Sequence, residues 1–230
     1  PIIDHVTSNE RSYFHPYLQF SDSSIPVSET IGQIGLSLNL NLTEEQKRSI
    51  LIPYIQLGID LAGIGNAGGT WTEGLSDVGR KLPILVAGFT LNHLPFQNID
   101  HQYSQFQEEV QTFYIDQDYV DSALNQARSL PYLEEDIDLA EWGIRHSNEP
   151  SSDHKSWDAE YRAATAVANA GFTLAGRLMG LQNHWNHDAL FDYMDRWWWT
   201  TDGVHDDFSV SGFVYEVRKT YRNTYFVDFE

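Results

Sequence analysis

Hydrophobic residues recur at helical spacing from the first quarter of the chain. Ile31, Ile34 and Leu38 are three or four residues apart, so they fall on one side of a helix. The pattern begins at Ser28, and the run of asparagine and leucine at residues 39–41 ends it. A first helix is therefore predicted between these points.

A second helix is predicted from a capping box, the sequence Thr-Glu-Glu-Gln that begins at Thr43. In this motif the side chains of the first and fourth residues each accept a hydrogen bond from the other residue's backbone N–H. Apolar residues recur between Ile50 and Asp60, so the helix should extend that far. Pro53 lacks a backbone N–H, and we expect a kink or a local break there. The glycine-rich residues 63–69 follow as a loop.

Three later segments also have helical patterns. Residues 82–92 are nearly all apolar, so this helix must be buried on most sides. Residues 161–181 are rich in alanine and glycine, which let neighbouring helices approach closely and predict a place in the middle of a bundle. Residues 188–198 are amphipathic, with leucine, phenylalanine, methionine and tryptophan on one side.

The remaining segments have no regular hydrophobic period. Residues 1–27 mix aromatic and polar residues and are predicted to form an extended arm over an apolar surface, and residues 93–118 are predicted to loop over the surface. Residues 119–130 resemble a polar helix, and the tail from Gly212 fits neither a helix nor a strand well. The sequence thus predicts an all-α fold, with the arm followed by one helical domain at 28–230. About six helices would pair as hairpins joined by long loops.

Charge and composition exclude several classes of protein. The chain has 14 Lys and Arg against 33 Asp and Glu, a net charge of -19, so nucleic acid and anionic membranes are not expected partners. It has no cysteine, which excludes disulfides, thiolate metal sites and cysteine nucleophiles. No apolar run approaches the roughly 20 residues that span a bilayer.

Aromatic residues are abundant, with 7 Trp, 12 Tyr and 12 Phe. Aromatic and acidic residues with few lysines are common in carbohydrate-active proteins, where flat rings stack on sugar faces. The alternative is a core rich in aromatic side chains.

Two short basic segments are candidates for chemistry. The sequence Glu141-Trp-Gly-Ile-Arg145-His146, with Tyr161 and Arg162 at the start of the next helix, brings together a carboxylate-binding fork, an imidazole and a phenol. Such groups suit acid/base chemistry on an acidic sugar. The alternative is that Arg145 pairs with Glu141 on a surface turn while Tyr161 packs.

The second segment contains Arg80 and Lys81, which follow the glycine loop and precede the apolar helix. Two cations and backbone N–H groups at a helix start would bind an anion. The alternative is a solvated basic turn that balances a very acidic surface.

His184, His187 and Asp188 lie close enough in sequence to suggest a metal site. Asn186 suits an N-cap and Asp188 suits the helix dipole, so capping is favoured and no metal is predicted.

Several carboxylate pairs could serve glycoside hydrolysis, which needs two acids facing each other. They are found among Glu134, Glu135, Asp136 and Asp138, and between Asp192 and Asp195. Runs of acids are usually solvated. The chain has no GxSxG, P-loop or GxGxxG fingerprint to support a serine hydrolase, an NTPase or a dinucleotide-binding protein.

Four segments carry a resemblance to a known group: IPYIQLGIDLAGI, GRKLPILVAGFTL, EWGIRH and WNHDALFDYMDRWW. Together they resemble secreted bacterial proteins of the alginate-lyase and heparinase-like kind, which have (α/α) toroid folds. The resemblance covers residues 10–200. The resemblance therefore implies an (α/α) toroid or part of one, since a complete toroid has more helices than this sequence predicts. In that group a histidine often precedes Gly-Arg-Lys, whereas residues 72–78 here contain none.

The resemblance implies a polysaccharide lyase that cleaves a uronic-acid polymer by β-elimination, without a cofactor. Arg145 would neutralise the substrate carboxylate with help from Arg80, His146 would act as base or neutraliser, and Tyr161 as acid and base. The remaining residues expected to bind substrate are Lys81, Arg162, His187 and the stacking platforms Trp142, Trp157 and Trp185. The acidic net charge does not exclude an anionic substrate, because charges farther than about 8–10 Å are screened in salt.

Two other classes remain open. A glycoside hydrolase on the same toroid would use two acids, Glu141 with Asp158 or Asp188. A non-catalytic carbohydrate-binding domain would use the tryptophans alone. The expected partner is an acidic polysaccharide or oligosaccharide, and the resemblance implies a secreted or periplasmic location.

Overall fold

The fold is mostly helical, as the sequence predicts. The computed structural model describes residues 27–71, 77–99, 106–127, 131–143, 160–205 and 208–225. The predicted arm lies almost wholly outside these residues, and the first helix begins at Val27, one residue earlier than expected.

Eleven helices, four short strands and one 3-10 turn make up the described part of the chain. The helices are α1 (Val27–Ser37), α2 (Glu44–Asn66), α3 (Lys81–Thr90), α4 (Leu94–Gln97), α5 (Gln107–Gln111), α6 (Gln117–Asp121), α7 (Ala123–Gln126), α8 (Glu160–Leu178), α9 (Gln182–Trp185), α10 (Asp188–Thr201) and α11 (Gly212–Tyr225). The strands are β1 (Thr112–Tyr114), β2 (Ala140–Trp142), β3 (Val204–His205) and β4 (Phe208–Ser209), and the 3-10 turn is Glu134–Asp136.

The capping box at the start of α2 is confirmed. The Gln46 backbone N–H donates to Thr43 Oγ1 over 3.3 Å, and the Thr43 N–H donates to Gln46 Oε1 over 2.9 Å. The break expected at Pro53 does not occur, because α2 continues through it to Asn66. Pro53 lies on the exposed side of the helix, so the Ser49 carbonyl that it leaves without a helical donor faces solvent.

Helix α8 occupies the middle of the described helices, as its small residues predict. It packs against α1, α10 and α11. The crossing with α1 is so close that a Cβ atom on Gly32 would lie 2.6 Å from the carbonyl carbon of Gly171. Helices α2 and α3 are neighbours in both sequence and space, but α1 pairs with the distant α8, so hairpin pairing holds only in part.

The segment predicted to loop over the surface contains α4, α5 and β1. Strand β1 pairs antiparallel with β2, with Phe113 opposite Glu141. The predicted polar helix is two short helices that meet at Ser122, whose hydroxyl accepts a hydrogen bond from the Asn125 N–H and so caps α7. The tail is helical, because Val214 and Val217 bury one face of α11.

The described residues form two hydrophobic clusters. The larger one is built from α1, α2, α3, α8, α10 and α11. The smaller one, which we call the Tyr132 cluster, consists of Ile115, Val120 and Tyr132. Within the described ranges, no helix is both long and apolar enough to cross a bilayer.

Candidate functional site

An open cavity of about 640 Å³ lies beside α10. Its walls come from Tyr114 at the end of β1, from residues 138–140 at the start of β2, and from the ends of α8 and α9. Its floor is the side of α10 that carries Asp192, Asp195, Arg196 and Trp199, and we call the cavity the α10 groove.

The sequence of α10 explains why these four residues face the groove. Asp192 precedes Asp195 by three residues and Arg196 by four, and Trp199 follows them by four and three, so all four share one side of the helix. The opposite side carries Leu190, Phe191, Met194, Trp197 and Trp198, all of which are buried in the larger cluster. The amphipathic pattern predicted for 188–198 is thus confirmed, and its polar side forms the groove.

An ion pair joins the two helices at the groove. The guanidinium of Arg177, in the last turn of α8, pairs with Asp195 and also donates to Gln182 Oε1 over 2.8 Å. Burial raises the pKa of Asp195 to about 6, and the Asp192 charge adds to this rise although Arg177 opposes it. Asp195 therefore exchanges a proton near neutral pH, which is a property of catalytic acids.

A phenol and a carboxylate meet at the other wall. The Tyr114 hydroxyl donates to Asp192 Oδ2 over 2.6 Å. Burial and this hydrogen bond raise the pKa of Tyr114 well above its usual value. Tyr114 therefore keeps its proton at neutral pH and can act as a hydrogen-bond donor or an acid, not as a base.

The second guanidinium of the groove belongs to Arg196, which pairs with the fully buried Glu141 on β2. Burial lowers the pKa of Arg196 to about 10, so it remains protonated at neutral pH. Trp199 lies at the edge of the groove with 52% of its surface exposed.

Several residues predicted to carry the chemistry fall outside the part of the chain that the structure describes. Arg145, His146 and Trp157 are outside the described residues, and so is Asp158. Tyr161 and Arg162 lie in the first turn of α8, and their side chains are outside the described part. Their roles stay predictions.

Arg80 and Lys81 are both buried, so the solvated basic turn is wrong. Lys81 Nζ pairs with Glu109 and donates to the Trp185 carbonyl oxygen over 2.5 Å. Arg80 Nη1 donates to the Val78 carbonyl oxygen over 3.2 Å. In this structure Lys81 contacts a buried carboxylate and a carbonyl oxygen, and Arg80 contacts a carbonyl oxygen. Their role in binding substrate stays a prediction.

Two of the predicted stacking platforms are core residues. Trp142 and Trp185 are at most 1% exposed, so neither ring offers a face to a sugar. Trp142 Nε1 donates to Gln111 Oε1 over 3.1 Å, and Trp185 stacks on Phe172 with ring centroids 5.8 Å apart. For these two rings the aromatic-rich core is what the structure shows.

His187 joins α10 to β1. Its Nε2 atom lies 2.8 Å from Thr112 Oγ1 and 3.0 Å from the Thr112 carbonyl oxygen. His187 also occupies the N-cap position of α10, so the N-cap expected at Asn186 is wrong. Asn186 instead ends α9 in the left-handed conformation, with φ of 56°.

Glu141 and Asp188, the acids proposed for hydrolysis, differ in setting. Glu141 is fully buried against Arg196, while Asp188 begins α10 and accepts from Gln182 Nε2 over 3.5 Å.

Among the residues that the structure describes, no three histidine or acidic side chains are grouped to hold a metal ion.

Of the residues that line the groove, sequence reasoning identified Asp138, Asp192 and Asp195. Trp199 is the third residue of a Trp-Trp-Trp run, and the two tryptophans before it are buried. Trp199 follows Asp195 by four residues, which places it on the same side of the helix as that acid. Arg177 is the one cation near the end of a helix otherwise rich in small residues.

Comparisons of the chain with protein families, curated proteins and solved structures find no match.

Proposed function

We propose that this chain binds a carbohydrate polymer in the α10 groove and cleaves it there. One observation carries the proposal: an open cavity of about 640 Å³ that presents an exposed tryptophan ring beside guanidinium, carboxylate and phenol groups. A cavity of this size suits a small molecule or a few units of a polymer. The indole of Trp199 offers a flat apolar face, and the polar groups match sugar hydroxyls.

The reaction that we propose first is β-elimination on a uronic-acid polysaccharide, as the resemblance implies. A substrate carboxylate needs a cation to neutralise it, and Arg177 and Arg196 supply two. The leaving oxygen needs an acid, and Tyr114 retains its proton for that role. His146 remains the proposed base, and Arg145 and Tyr161 remain proposed contributors to the same reaction. The (α/α) toroid arrangement and a secreted or periplasmic location belong to the same proposal.

A substrate panel tests this function. Alginate, glucuronan, ulvan and glycosaminoglycans would be incubated with the protein while ultraviolet absorbance and new reducing ends are followed together. Elimination leaves a conjugated, absorbing uronate, so we expect absorbance to rise on one polymer. No absorbance and no reducing ends on any polymer, with no binding to any of them, would contradict the proposal.

Replacing Trp199 by alanine should weaken binding of the active polymer about tenfold or more, because exposed tryptophan rings dominate many binding sites. Calorimetric titration would measure the change. Leu94→Ala is the matched control, since Leu94 is exposed but does not line the groove. Equal affinities for Trp199→Ala and wild type would remove Trp199 from the site.

Hydrolysis is the second candidate, favoured by the pair of carboxylates that α10 presents to the groove. Asp195 is the proposed general acid because its pKa of about 6 leaves part of it protonated near neutral pH. Asp192 is the proposed second carboxylate.

If the reaction is hydrolysis, Asp195→Asn should reduce turnover by about 10²–10⁴-fold, the size typical of a lost general acid. Wild-type turnover should then fall as pH rises above about 6, since the protonated form is lost there. Steady-state rates of reducing-end formation across pH would measure both effects. Asp118→Asn, an exposed acid of α6, is the control, and full turnover in Asp195→Asn would exclude this mechanism.

A further inference from the structure

We propose that Glu141 and Tyr132 are positioning residues that hold the guanidinium of Arg196 in the α10 groove, where it binds an oxygen of the ligand. The proposal rests on the function of the groove given above. In this proposal the Tyr132 cluster, which does not line the groove, fixes the position of one cation of the groove.

The first step is the contact between Arg196 and Glu141. The side chain of Glu141 has no exposed surface, whereas that of Arg196 is 21% exposed and lines the groove. The guanidinium therefore connects a buried carboxylate to the cavity. A buried carboxylate is stable only when opposite charge and hydrogen bonds compensate it, so this pair constrains where Arg196 can lie.

The second step is the contact between Glu141 and Tyr132. The Tyr132 hydroxyl donates to Glu141 Oε2 over 2.5 Å, while Arg196 pairs with the other carboxylate oxygen. The two donors thus hold different oxygens of one carboxylate. Together with the β1–β2 pairing, which fixes the backbone of Glu141 opposite Phe113, they leave the carboxylate little freedom to turn.

The third step is the anchoring of Tyr132 itself. The Asn125 side chain accepts from the Tyr132 N–H and donates to the Tyr132 carbonyl oxygen, both over 2.8 Å. The ring of Tyr132 packs with Ile115 and Val120 and meets Tyr119 edge-on at 5.8 Å. A chain of contacts therefore runs from the Tyr132 cluster to the groove.

Arg177 and Arg196, the two cations of the groove, differ in how accessible their acidic partners are. Arg177 pairs with Asp195, and both side chains are 13% exposed, so a ligand can reach both partners. The partner of Arg196 is out of reach of any ligand. Arg196 is therefore held by a carboxylate that the ligand cannot displace, and it is suited to a fixed contact.

The first test uses the ligand-free protein, so it does not depend on the proposed function. Hydrogen exchange of the arginine side-chain N–H groups would be followed by NMR in wild type, Glu141→Gln and Tyr132→Phe. We expect exchange at Arg196 to accelerate about tenfold or more when Glu141 loses its charge or when it loses the hydrogen bond from Tyr132. Exchange at Arg177 should stay unchanged. Unchanged exchange at Arg196 in both variants would overturn the proposal.

The second test is a double-mutant cycle on ligand affinity, with alginate and cellulose tetrasaccharides as probes. Glu141→Gln should weaken binding roughly ten- to hundredfold, the cost of a hydrogen bond to a charged group. Since Glu141 acts through Arg196, Glu141→Gln should cause no further loss in an Arg196→Met background. Additive losses would overturn the proposal. If wild type binds neither probe, the proposed function fails on these sugars, while the exchange test still decides the role of Glu141.

Tyr132→Phe keeps the test informative if Glu141→Gln does not fold, because it removes one hydroxyl and leaves the ring packed. Circular dichroism would confirm the fold of each variant. A well-folded Tyr132→Phe protein with wild-type affinity and wild-type Arg196 exchange would also overturn the proposal for Tyr132.

Discussion

Lys81→Met should lower the free energy of unfolding by about 3–5 kcal/mol, because it removes one partner of a buried ion pair. Lys81 and Glu109 are each only 1% exposed at the side chain, and Lys81 also donates to the Trp185 carbonyl oxygen. Methionine fills a similar volume without the charge, so Glu109 would be left buried beside an apolar group. Urea denaturation followed by tryptophan fluorescence would measure the loss.

Two variants act as controls for this prediction. Lys219→Met changes an exposed lysine of α11 and should stay within about 0.5 kcal/mol of wild type. Adding Glu109→Gln to Lys81→Met removes the uncompensated charge and should restore part of the stability. A Lys81→Met protein as stable as wild type would show that the pair does not support the fold.

Glu108→Gln should stabilise the protein increasingly as pH rises. Glu108 is buried, and burial together with the Glu109 charge raises its pKa from 4.5 to about 8. The folded protein therefore binds this proton more tightly than the unfolded chain does. Its contribution to stability is complete below pH 4.5 and is lost as pH rises through 8, by about 1.4 kcal/mol for each pH unit.

Glutamine resembles the protonated acid and keeps an acceptor for the Gly79 N–H, which donates to Glu108 Oε2 over 3.2 Å. The variant should therefore match wild type near pH 4.5 and exceed it most above pH 8, by at most about 5 kcal/mol. Thermal unfolding between these pH values would measure the difference. Glu216→Gln, an exposed acid of α11, is the control, and a difference independent of pH would contradict the prediction.

The long helices could be predicted because their signals are local. The capping box at Thr43 needs only four consecutive residues, and the amphipathic pattern of α10 needs only its own fourteen. Strand β1 could not be predicted, because its partner β2 lies beyond two short helices and a 3-10 turn. Three residues with no alternating pattern become a strand only through that pairing.

The candidate sites found in the sequence rest on local signals, whereas the groove depends on contacts between distant segments. Arg80 and Lys81 are adjacent cations at a helix start, which locally favours anion binding, but Glu109 from a distant helix accounts for Lys81. The groove combines residues of β1, α8 and α10, which are far apart in the sequence. Only the tertiary fold brings Arg177 to Asp195 and Tyr114 to Asp192.

The close crossing of α1 and α8 has a consequence for the order of folding. Gly32 and Gly171 meet at this crossing although well over half the chain separates them. During synthesis the apolar face of α1, with Val27, Ile31 and Leu36, emerges long before the helix that covers it. Ribosomes add about 5–20 residues per second, so this face waits roughly 7–28 seconds for its partner. The contact between α1 and α8 therefore forms late, after most of the chain up to α8 has been synthesised, and this apolar face of α1 lacks its main partner until then.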